Sequence, residues 1–216
     1  MSGGKNILLY DYWRSSASYR LRIALGLLGL PYETKVVDLL KGDHNTADFK
    51  ALNPQGFVPA LVIDDVTLTQ SLAIIEYLHA TTAGSTLLPG TPLGQYRTRQ
   101  LSYAIAMEIH PICNASVGAH VAEITGGGEE AKIAWMRHYI AKGLSAFEAL
   151  LSAAPETRFC NGETPGMADC CLIPQLYNAD RWGVSTADMP HITRIASACA
   201  PMQAFAAAHP DAAHAL

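Results

Sequence analysis

Ser15 and Ser16 stand at a point of the sequence where a hydroxyl group could activate a bound thiol. Residues 7–10 are apolar and predict a short buried strand, and residues 21–28 carry apolar side chains at helical spacing. A serine at the start of this helix can cap it, and its hydroxyl can also serve an anion at the positive end of the helix. A free thiol has a pKa of about 8.5, which such surroundings lower towards neutrality. The turn therefore predicts either a helix cap alone or a site that ionises a thiol.

Two further positions are suited to an extended ligand that carries a carboxylate. The bond between Val58 and Pro59 is either an ordinary trans turn or a cis turn, and the cis form would direct the backbone of Val58 towards a peptide ligand. Gln70 and Ser71 come where a predicted strand meets a predicted helix, which we expect Ser71 to cap. The free amides of a helix N-terminus favour a carboxylate. These positions indicate where the backbone and the carboxylate of such a ligand would bind.

The elements that must position these residues alternate over the first 80 residues. The sequence predicts a strand at 7–10, a helix after Ser16, a strand within 32–39, a helical turn at 48–52, strands at 60–63 and 66–69, and a helix after Ser71. Asp64 and Asp65 suit a tight hairpin turn between the last two strands. The resulting order, βαβαββα, resembles the thioredoxin-like fold.

The second part of the chain has a different character. Residues 84–93 are rich in glycine, proline and small polar residues and predict a linker between a domain at 1–83 and a domain at 94–216. Beyond the linker strand signals nearly vanish, and apolar residues within 101–109 and 133–151 recur at helical spacing. Pro174 predicts a kink in a later helix, and the alanine-rich C-terminal tail carries little information. The chain is therefore expected to be an α+β protein of two domains, the second all-helical.

Composition excludes several classes of function. The 216 residues carry a formal net charge of −4, which argues against nucleic acid as a partner. No apolar run is long enough to cross a bilayer, and residues 1–12 lack the pattern of a signal peptide, so we expect a cytoplasmic protein without a membrane partner. The five cysteines are scattered, without a C-x-x-C pair, and are interpreted as reduced, buried thiols. Neither they nor the histidines have the spacing of a metal site, so no metal is expected.

Four segments of the chain are similar to the zeta class of glutathione transferases. They are YWRSSASYRLRIAL, LNPQGFVPAL, TLTQSLAIIEYL and MADCCLIPQLYNADRWGV, and the resemblance extends in order over almost the whole chain. It implies the glutathione transferase fold, glutathione as cofactor, a homodimer and a small diacid as substrate.

The resemblance also implies roles for particular residues. Ser15 would hold the glutathione sulfur as a thiolate with Ser16 as its substitute, Val58 would bind the cysteine backbone, and Gln70 with Ser71 would bind the γ-glutamyl end. By position, the remaining glutathione contacts would be His44, near the glycine end, and a segment of the helical domain formed by His110, Asn114, Ala115 and Ser116.

Arg14 and Arg181 are the candidates for binding the substrate. A guanidinium group is planar, always charged and able to bind a carboxylate with two hydrogen bonds, although either arginine could instead be an ordinary surface residue.

Two positions depart from the family's pattern. Ala17 replaces its usual cysteine, which removes a nucleophile, and Gly166 replaces a serine or threonine that caps a helix ahead of Asp169.

The implied reaction is cis-trans isomerisation of 4-maleylacetoacetate to 4-fumarylacetoacetate in tyrosine and phenylalanine breakdown. Reversible addition of a thiolate lowers the order of the double bond and permits its rotation. Isomerisation of maleylpyruvate ranks second, because we expect binding of that shorter diacid to require a further cationic residue near residues 114–116, where the sequence has none. Glutathione transfer to α-halo acids and a non-catalytic interaction protein on the same scaffold remain open.

Overall fold

The computed structural model describes residues 6–214 and divides the chain into two compact units. The first unit contains the residues up to Leu87 together with the segment from Met202 onward, and the second contains Leu88–Pro201. The boundary at residues 87 and 88 lies within the predicted linker. The assignment of the C-terminal segment to the first unit differs from the predicted division, which placed all residues from 94 onward in one helical domain.

The first unit is built on a mixed sheet of four strands. They are β1 (Ile7–Asp11), β2 (Glu33–Val36), β3 (Ala60–Ile63) and β4 (Val66–Thr69), in the order β2-β1-β3-β4. β1 is parallel to β2 and antiparallel to β3, and β3 is antiparallel to β4. Asp64 and Asp65 form the two-residue hairpin turn with φ angles of 47° and 70°, which aspartate tolerates better than most residues. The predicted thioredoxin-like order is confirmed.

Three helices accompany this sheet. They are α1 (Ser16–Leu27), α2 (Ala47–Leu52) and α3 (Ser71–Thr81), with a short 3₁₀ turn at Asp43–Asn45 ahead of α2. Leu21 and Leu25 of α1 and Ile75 and Leu78 of α3 are fully buried, as their helical spacing predicts. Because these helices cover the sheet, their N-terminal ends are fixed relative to the strands that precede them.

The C-terminal segment completes the first unit with two short helices, α9 (Gln203–Ala208) and α10 (Pro210–His214). Phe205 and Ala208 are buried, and Gly26 of α1 lies so close to Ala204 that a side chain at Gly26 would meet the Ala204 Cα atom at 3.2 Å. The contact between α1 and α9 therefore depends on the absence of a side chain at Gly26.

The second unit is helical. Its elements are α4 (Pro92–Ala106), α5 (Ala115–Thr125), α6 (Gly128–Ser152), α7 (Met167–Arg181) and α8 (Pro190–Cys199). The predicted apolar face of α6 is buried at Met136, Ile140, Leu144 and Phe147. Within residues 6–214, no helix combines the length and the apolar character that crossing a membrane requires.

Gly166 is the N-cap of α7, the position where the family's pattern has a serine or threonine. The Asp169 carboxylate accepts hydrogen bonds from the Gly166 amide at 2.8 Å and from the Cys160 amide at 2.9 Å, and Asp169 is buried. Glycine therefore leaves the helix start intact, because Asp169 provides the stabilising acceptor. Pro174 lies inside α7, which continues through it to Arg181.

Candidate active site

Ser15 is the N-cap of α1. Its hydroxyl oxygen accepts a hydrogen bond from the Ser18 amide at 3.2 Å, and its own amide donates to the Tyr12 carbonyl at 2.8 Å. The hydroxyl oxygen is thereby oriented by an acceptor role, which leaves its hydrogen available to donate. The first turn of α1 contains no acidic residue, so no side-chain carboxylate offsets the positive end of the helix dipole. The half-buried turn can therefore stabilise an anion.

The chain's own thiols are not at this turn. Position 17 is alanine, and all five cysteines are free and buried, as the sequence predicts. Burial raises the pKa of Cys113 to about 11, and it raises the pKa of Cys160 and of Cys170 well above the ordinary value. A thiol whose pKa is raised by burial is a poor nucleophile at neutral pH. Any reactive sulfur at the turn must come from a ligand.

Arg14 lies beside Ser15 and is half-buried. Its guanidinium donates to the Tyr12 hydroxyl at 3.3 Å and lies 4.9 Å from the centre of the Trp13 ring. These contacts with aromatic neighbours hold the side chain, and no carboxylate of residues 6–214 pairs with it. The group is therefore ordered and still able to bind an anionic ligand.

An apolar cluster joins this turn to the loop that contains Val58. Tyr12, Val37, Phe49 and Val58 are buried together, with Trp13 packed against them. The Val58–Pro59 peptide bond is cis, as one of the two sequence alternatives predicts. Among the described residues, no protein group pairs with the amide or the carbonyl of Val58. The loop thus presents an unsatisfied donor and acceptor of the kind that an extended peptide completes.

Asn53 and Gln55 shape the Val58 loop, and the sequence analysis missed both. The Asn53 side chain is almost fully buried, donates to the Phe57 carbonyl at 2.7 Å and accepts from the Gln55 amide at 3.2 Å. The Gln55 side chain in turn accepts a hydrogen bond of 2.7 Å from the amide group of Gln70. An Asn-Pro pair is typical of a turn, but the link from Gln55 to Gln70 spans 15 residues and has no local signature.

Gln70, and not Ser71, occupies the N-cap position of α3. Gln70 has a φ of 69° and makes no side-chain cap, so the prediction that Ser71 caps the helix is wrong. Ser71 is the first helical residue, and its hydroxyl accepts a hydrogen bond of 3.2 Å from the buried guanidinium of Arg20. The reason is geometric: the strand turns into the helix at Gln70 through a left-handed backbone conformation, which glutamine rarely adopts and sequence patterns do not reveal.

The N-terminus of α3 is suited to a carboxylate. Its first turn carries no acidic residue and no capping side chain, and the Arg20 cation lies beneath Ser71. Helix amides and a neighbouring cation both favour a negative group. No local pattern in the sequence shows that the Arg20 side chain reaches Ser71.

His44 lies in the 3₁₀ turn and is half-buried. Its Nε2 atom is 3.0 Å from the side-chain amide of Asn45, while its Nδ1 atom is buried without a hydrogen-bond partner among the described residues. The turn lies against the Val58 loop, since a side chain at Gly56 would meet the His44 carbonyl at 3.1 Å. The structure thus brings His44 close to the loop that the sequence predicted to bind the same ligand.

The other predicted residues belong to the second unit. His110 follows α4 and is half-buried, with its amide bonded to the Ile105 carbonyl at 2.9 Å. Asn114 caps α5 by accepting from both the amide and the hydroxyl of Ser116 at 3.1 Å. Ala115 and Ser116 are the first, exposed residues of α5.

Arg181 is the last residue of α7. It is exposed, and its guanidinium lies 5.9 Å from the Trp182 ring centre. A cation in the last turn also interacts favourably with the helix dipole, so its position has a structural benefit as well as a possible binding role.

Comparisons with known proteins agree with this geometry. The model of the glutathione S-transferase N-terminal domain matches residues 14–81. A maleylacetoacetate isomerase of Rhizobium meliloti is 53% identical over 206 residues, covering 95% of this chain and 97% of that protein. A solved zeta-class maleylpyruvate isomerase superposes with a TM-score of 0.92 at 42% identity, covering 95% and 97% of the two chains. This chain belongs to the zeta class of glutathione transferases.

A further solved relative contains bound ligands. The maleylacetoacetate isomerase of Methylobacterium extorquens AM1 was solved with malonate and glutathione bound, and it shares 40% identity with a TM-score of 0.91 over 95% of this chain and 97% of its own. Malonate is a small diacid. That relative therefore binds both the tripeptide and a molecule of the substrate's chemical class.

Proposed function

We propose that this zeta-class protein is a glutathione-dependent cis-trans isomerase that converts 4-maleylacetoacetate to 4-fumarylacetoacetate. The observation that carries the proposal is the Ser15 hydroxyl, which is oriented at an α1 N-terminus whose first turn has no acidic residue. Such a turn stabilises a thiolate, and the chain's own thiols are buried. The high identity to proteins named maleylacetoacetate isomerase supports this reaction.

The residues of the first unit fit glutathione. The γ-glutamyl carboxylate would bind at the N-terminus of α3, where Gln70 and Ser71 lie above the Arg20 cation. The cysteine backbone would pair with the free amide and carbonyl of Val58, and His44 would lie at the glycine end. In the second unit, the residues proposed to complete the contacts are His110, Asn114, Ala115 and Ser116.

Bound glutathione supplies a thiolate that adds reversibly to the double bond of the diacid, so that the bond can rotate and the thiolate is recovered. Ser15 donates its hydroxyl hydrogen to the sulfur and so favours the ionised form, with Ser16 as the neighbouring hydroxyl. Arg14 and Arg181 bind the carboxylates of the substrate, which orients it and offsets the negative charge that develops next to the carbonyl group.

Maleylpyruvate is the second candidate substrate. The TM-score of 0.92 and the identity of 42% to a solved maleylpyruvate isomerase favour it. Residues 114–116 argue for the longer diacid, because Asn114 and Ser116 are neutral and bonded to each other at the start of α5. We therefore expect both diacids to react, with 4-maleylacetoacetate preferred.

A homodimer in the cytoplasm is part of the proposal. Exposed large apolar side chains occur on both units, including Phe57 at 51% and Val66 at 54% in the first and Leu93 at 77% and Tyr96 at 60% in the second. Single exposed apolar side chains are ordinary on protein surfaces, so the homodimer is proposed from the resemblance to the zeta class. None of the five cysteines, which all lie among the described residues, forms a disulfide, and this is consistent with a reducing compartment.

The proposed function is tested by following the absorbance of 4-maleylacetoacetate and of maleylpyruvate with and without glutathione. We expect turnover only with glutathione, a large loss in Ser15→Ala, and a raised KM for the diacid in Arg181→Ala. Arg158→Ala is the matched control, because Arg158 is also exposed and its guanidinium lies 5.3 Å from the ring centre of the next residue, Phe159. Turnover that does not depend on glutathione would refute the mechanism.

A further inference from the structure

Arg22 is a buried cation whose contacts converge on the turn that contains Ser15. Its guanidinium forms an ion pair with Asp11, with the NH1 atom 2.8 Å and 2.9 Å from the two carboxylate oxygens, and the Arg22 side chain is only 2% exposed. The NH2 atom donates to the Trp13 carbonyl at 2.8 Å, and the Nε atom donates to the Ala208 carbonyl at 3.0 Å. One side chain therefore joins the end of β1, the turn and the C-terminal segment.

The bond to Trp13 fixes the backbone immediately before Arg14 and Ser15. Residues 12–15, here called the serine turn, are held within the first unit by the Ser15 amide on the Tyr12 carbonyl and by Arg22 on the Trp13 carbonyl. A hydrogen bond to an anion weakens steeply when donor and acceptor are misaligned. The position of the Ser15 hydroxyl thus depends on a side chain that itself lies two turns into α1.

The C-terminal segment contributes to the same support at three places. Its Ala208 carbonyl accepts from Arg22, and the His214 ring lies 4.3 Å from the Trp13 ring, measured between centroids. The His209 ring meets the Tyr19 ring edge to face at 6.2 Å. Tyr19 also lies under the Arg22 guanidinium, 5.2 Å from it. The segment therefore contacts Arg22, the residue beneath Arg22 and the residue whose carbonyl Arg22 holds.

We propose that Arg22 is a positioning residue for the serine turn, and that α9 and α10 form the support against which Arg22 holds that turn. Because the guanidinium is planar and donates in fixed directions, it can satisfy Asp11, Trp13 and Ala208 together, which a lysine ammonium cannot do with the same geometry. Loosening either Arg22 or α9 shifts the serine turn and weakens its hydrogen bond to the sulfur. This inference rests on the proposed function and extends it to residues more than 180 positions from Ser15.

The test measures the pKa of the thiol of bound glutathione by ultraviolet difference titration of the full-length protein. The variants are Arg22→Lys, which keeps the charge but not the fork of donors, and Phe205→Ala, which loosens α9 without touching the serine turn. Leu78→Ala is the control, because Leu78 is fully buried in α3 of the same unit and lies outside the site. Thermal unfolding of each variant reports how much structure has been weakened.

We expect Arg22→Lys and Phe205→Ala each to raise the thiol pKa by about half a unit to one unit, which lowers the thiolate fraction by about 3-fold to 10-fold at pH values below the wild-type thiol pKa. The rise of kcat with pH should move upward by the same amount, while Leu78→Ala lowers the unfolding temperature and leaves the thiol pKa unchanged. If Arg22→Lys does not fold, Phe205→Ala alone decides. Variants that are less stable but keep the wild-type thiol pKa would overturn the inference and leave the proposed function intact. A wild-type protein that does not lower the thiol pKa would instead remove the proposed function itself.

Discussion

Replacing Ser15 with alanine should separate its two roles, helix cap and hydrogen-bond donor. The hydroxyl accepts from the Ser18 amide at 3.2 Å, so its loss removes a cap and should lower the free energy of unfolding by about 1 kcal/mol. In the proposed complex the same hydroxyl donates to a thiolate, and a hydrogen bond to a charged group contributes about 1.5–3 kcal/mol.

The second effect can be expressed as a pKa. Since one pKa unit corresponds to about 1.4 kcal/mol, Ser15→Ala should raise the thiol pKa of bound glutathione by about one to two units. A raised pKa means that less thiolate is present, so kcat should fall about 10-fold to 100-fold at pH values below the wild-type thiol pKa and recover as the pH rises. Difference absorbance of the thiolate measures the pKa directly, without reference to turnover.

Thr91→Ala is the matched control for this substitution. Thr91 caps α4 by accepting from the Gly94 amide at 3.2 Å, the same bond length as at Ser15, and it is exposed. Thr91→Ala should therefore lower the free energy of unfolding by a similar amount and leave the thiol pKa of bound glutathione unchanged. If Ser15→Ala behaves as Thr91→Ala does in both measurements, Ser15 is a cap alone and the proposed mechanism fails.

Four further predictions follow from buried or helix-terminal groups. Asp11→Ala should lower the free energy of unfolding by about 3–5 kcal/mol in denaturant titration, because it leaves the Arg22 charge buried without its partner; a loss below about 1 kcal/mol would contradict this. Asp169→Ala should cost about 2–4 kcal/mol in the same assay, since two buried amides lose their acceptor, and an unchanged midpoint would show that water replaces it. Cys113, whose pKa is raised to about 11, should resist a thiol reagent at neutral pH in the native protein and react in denaturant, which thiol counting measures; fast native labelling would disprove its burial. Ala17→Asp should add about 0.5 kcal/mol of stability at the N-terminus of α1 and yet raise the thiol pKa of bound glutathione, because the new carboxylate competes for the same dipole; an unchanged thiol pKa would count against a dipole contribution.

The sequence predicted the elements of the first unit because they follow local patterns. The hairpin at Asp64 and Asp65 needs residues that tolerate positive φ, and the buried helix positions repeat at 3.6-residue spacing. The cap of α3 could not be predicted in this way. Gln70 has a positive φ where β4 turns into α3, a conformation that residue propensity does not predict for glutamine, and a propensity argument therefore favoured the neighbouring serine.

The C-terminal segment shows a second limit of sequence patterns. Its alanine-rich composition gives almost no amphipathic contrast, so its sequence carries little information about its structure. The contacts that place it are tertiary: Gly26 admits Ala204, and Arg22 bonds to the Ala208 carbonyl. Any residue type at position 208 would provide the same backbone carbonyl, so no sequence pattern could predict its contact with Arg22.

The site within the first unit depends on the same kind of long-range contact. Sequence patterns identified Ser15, Val58 and Gln70 as separate candidates, but not Asn53 or Gln55, which connect the Val58 loop to Gln70. Asn53 is nearly buried and arranges the loop through two bonds, and Gln55 then reaches Gln70. Buried amides of this type are chosen by the geometry of the folded chain, where each donor and acceptor needs a partner.

The positions of the cysteines and of the serine hydroxyls explain why this fold uses the thiol of a bound ligand. A protein thiol placed at Ala17 would lie in the first turn of α1, where the helix dipole would lower its pKa and expose it to oxidation and disulfide exchange. This chain has alanine there, and it keeps its five cysteines buried. The serine turn offers a hydroxyl at the N-terminus of α1, and the hydroxyl and the helix dipole stabilise an anion without supplying a nucleophile comparable to a thiolate. A turn of this composition favours the ionised form of whichever thiol is bound. Because the turn has no cysteine, it cannot form a disulfide with that thiol. Reversible addition to a double bond therefore proceeds without a competing redox reaction at the turn.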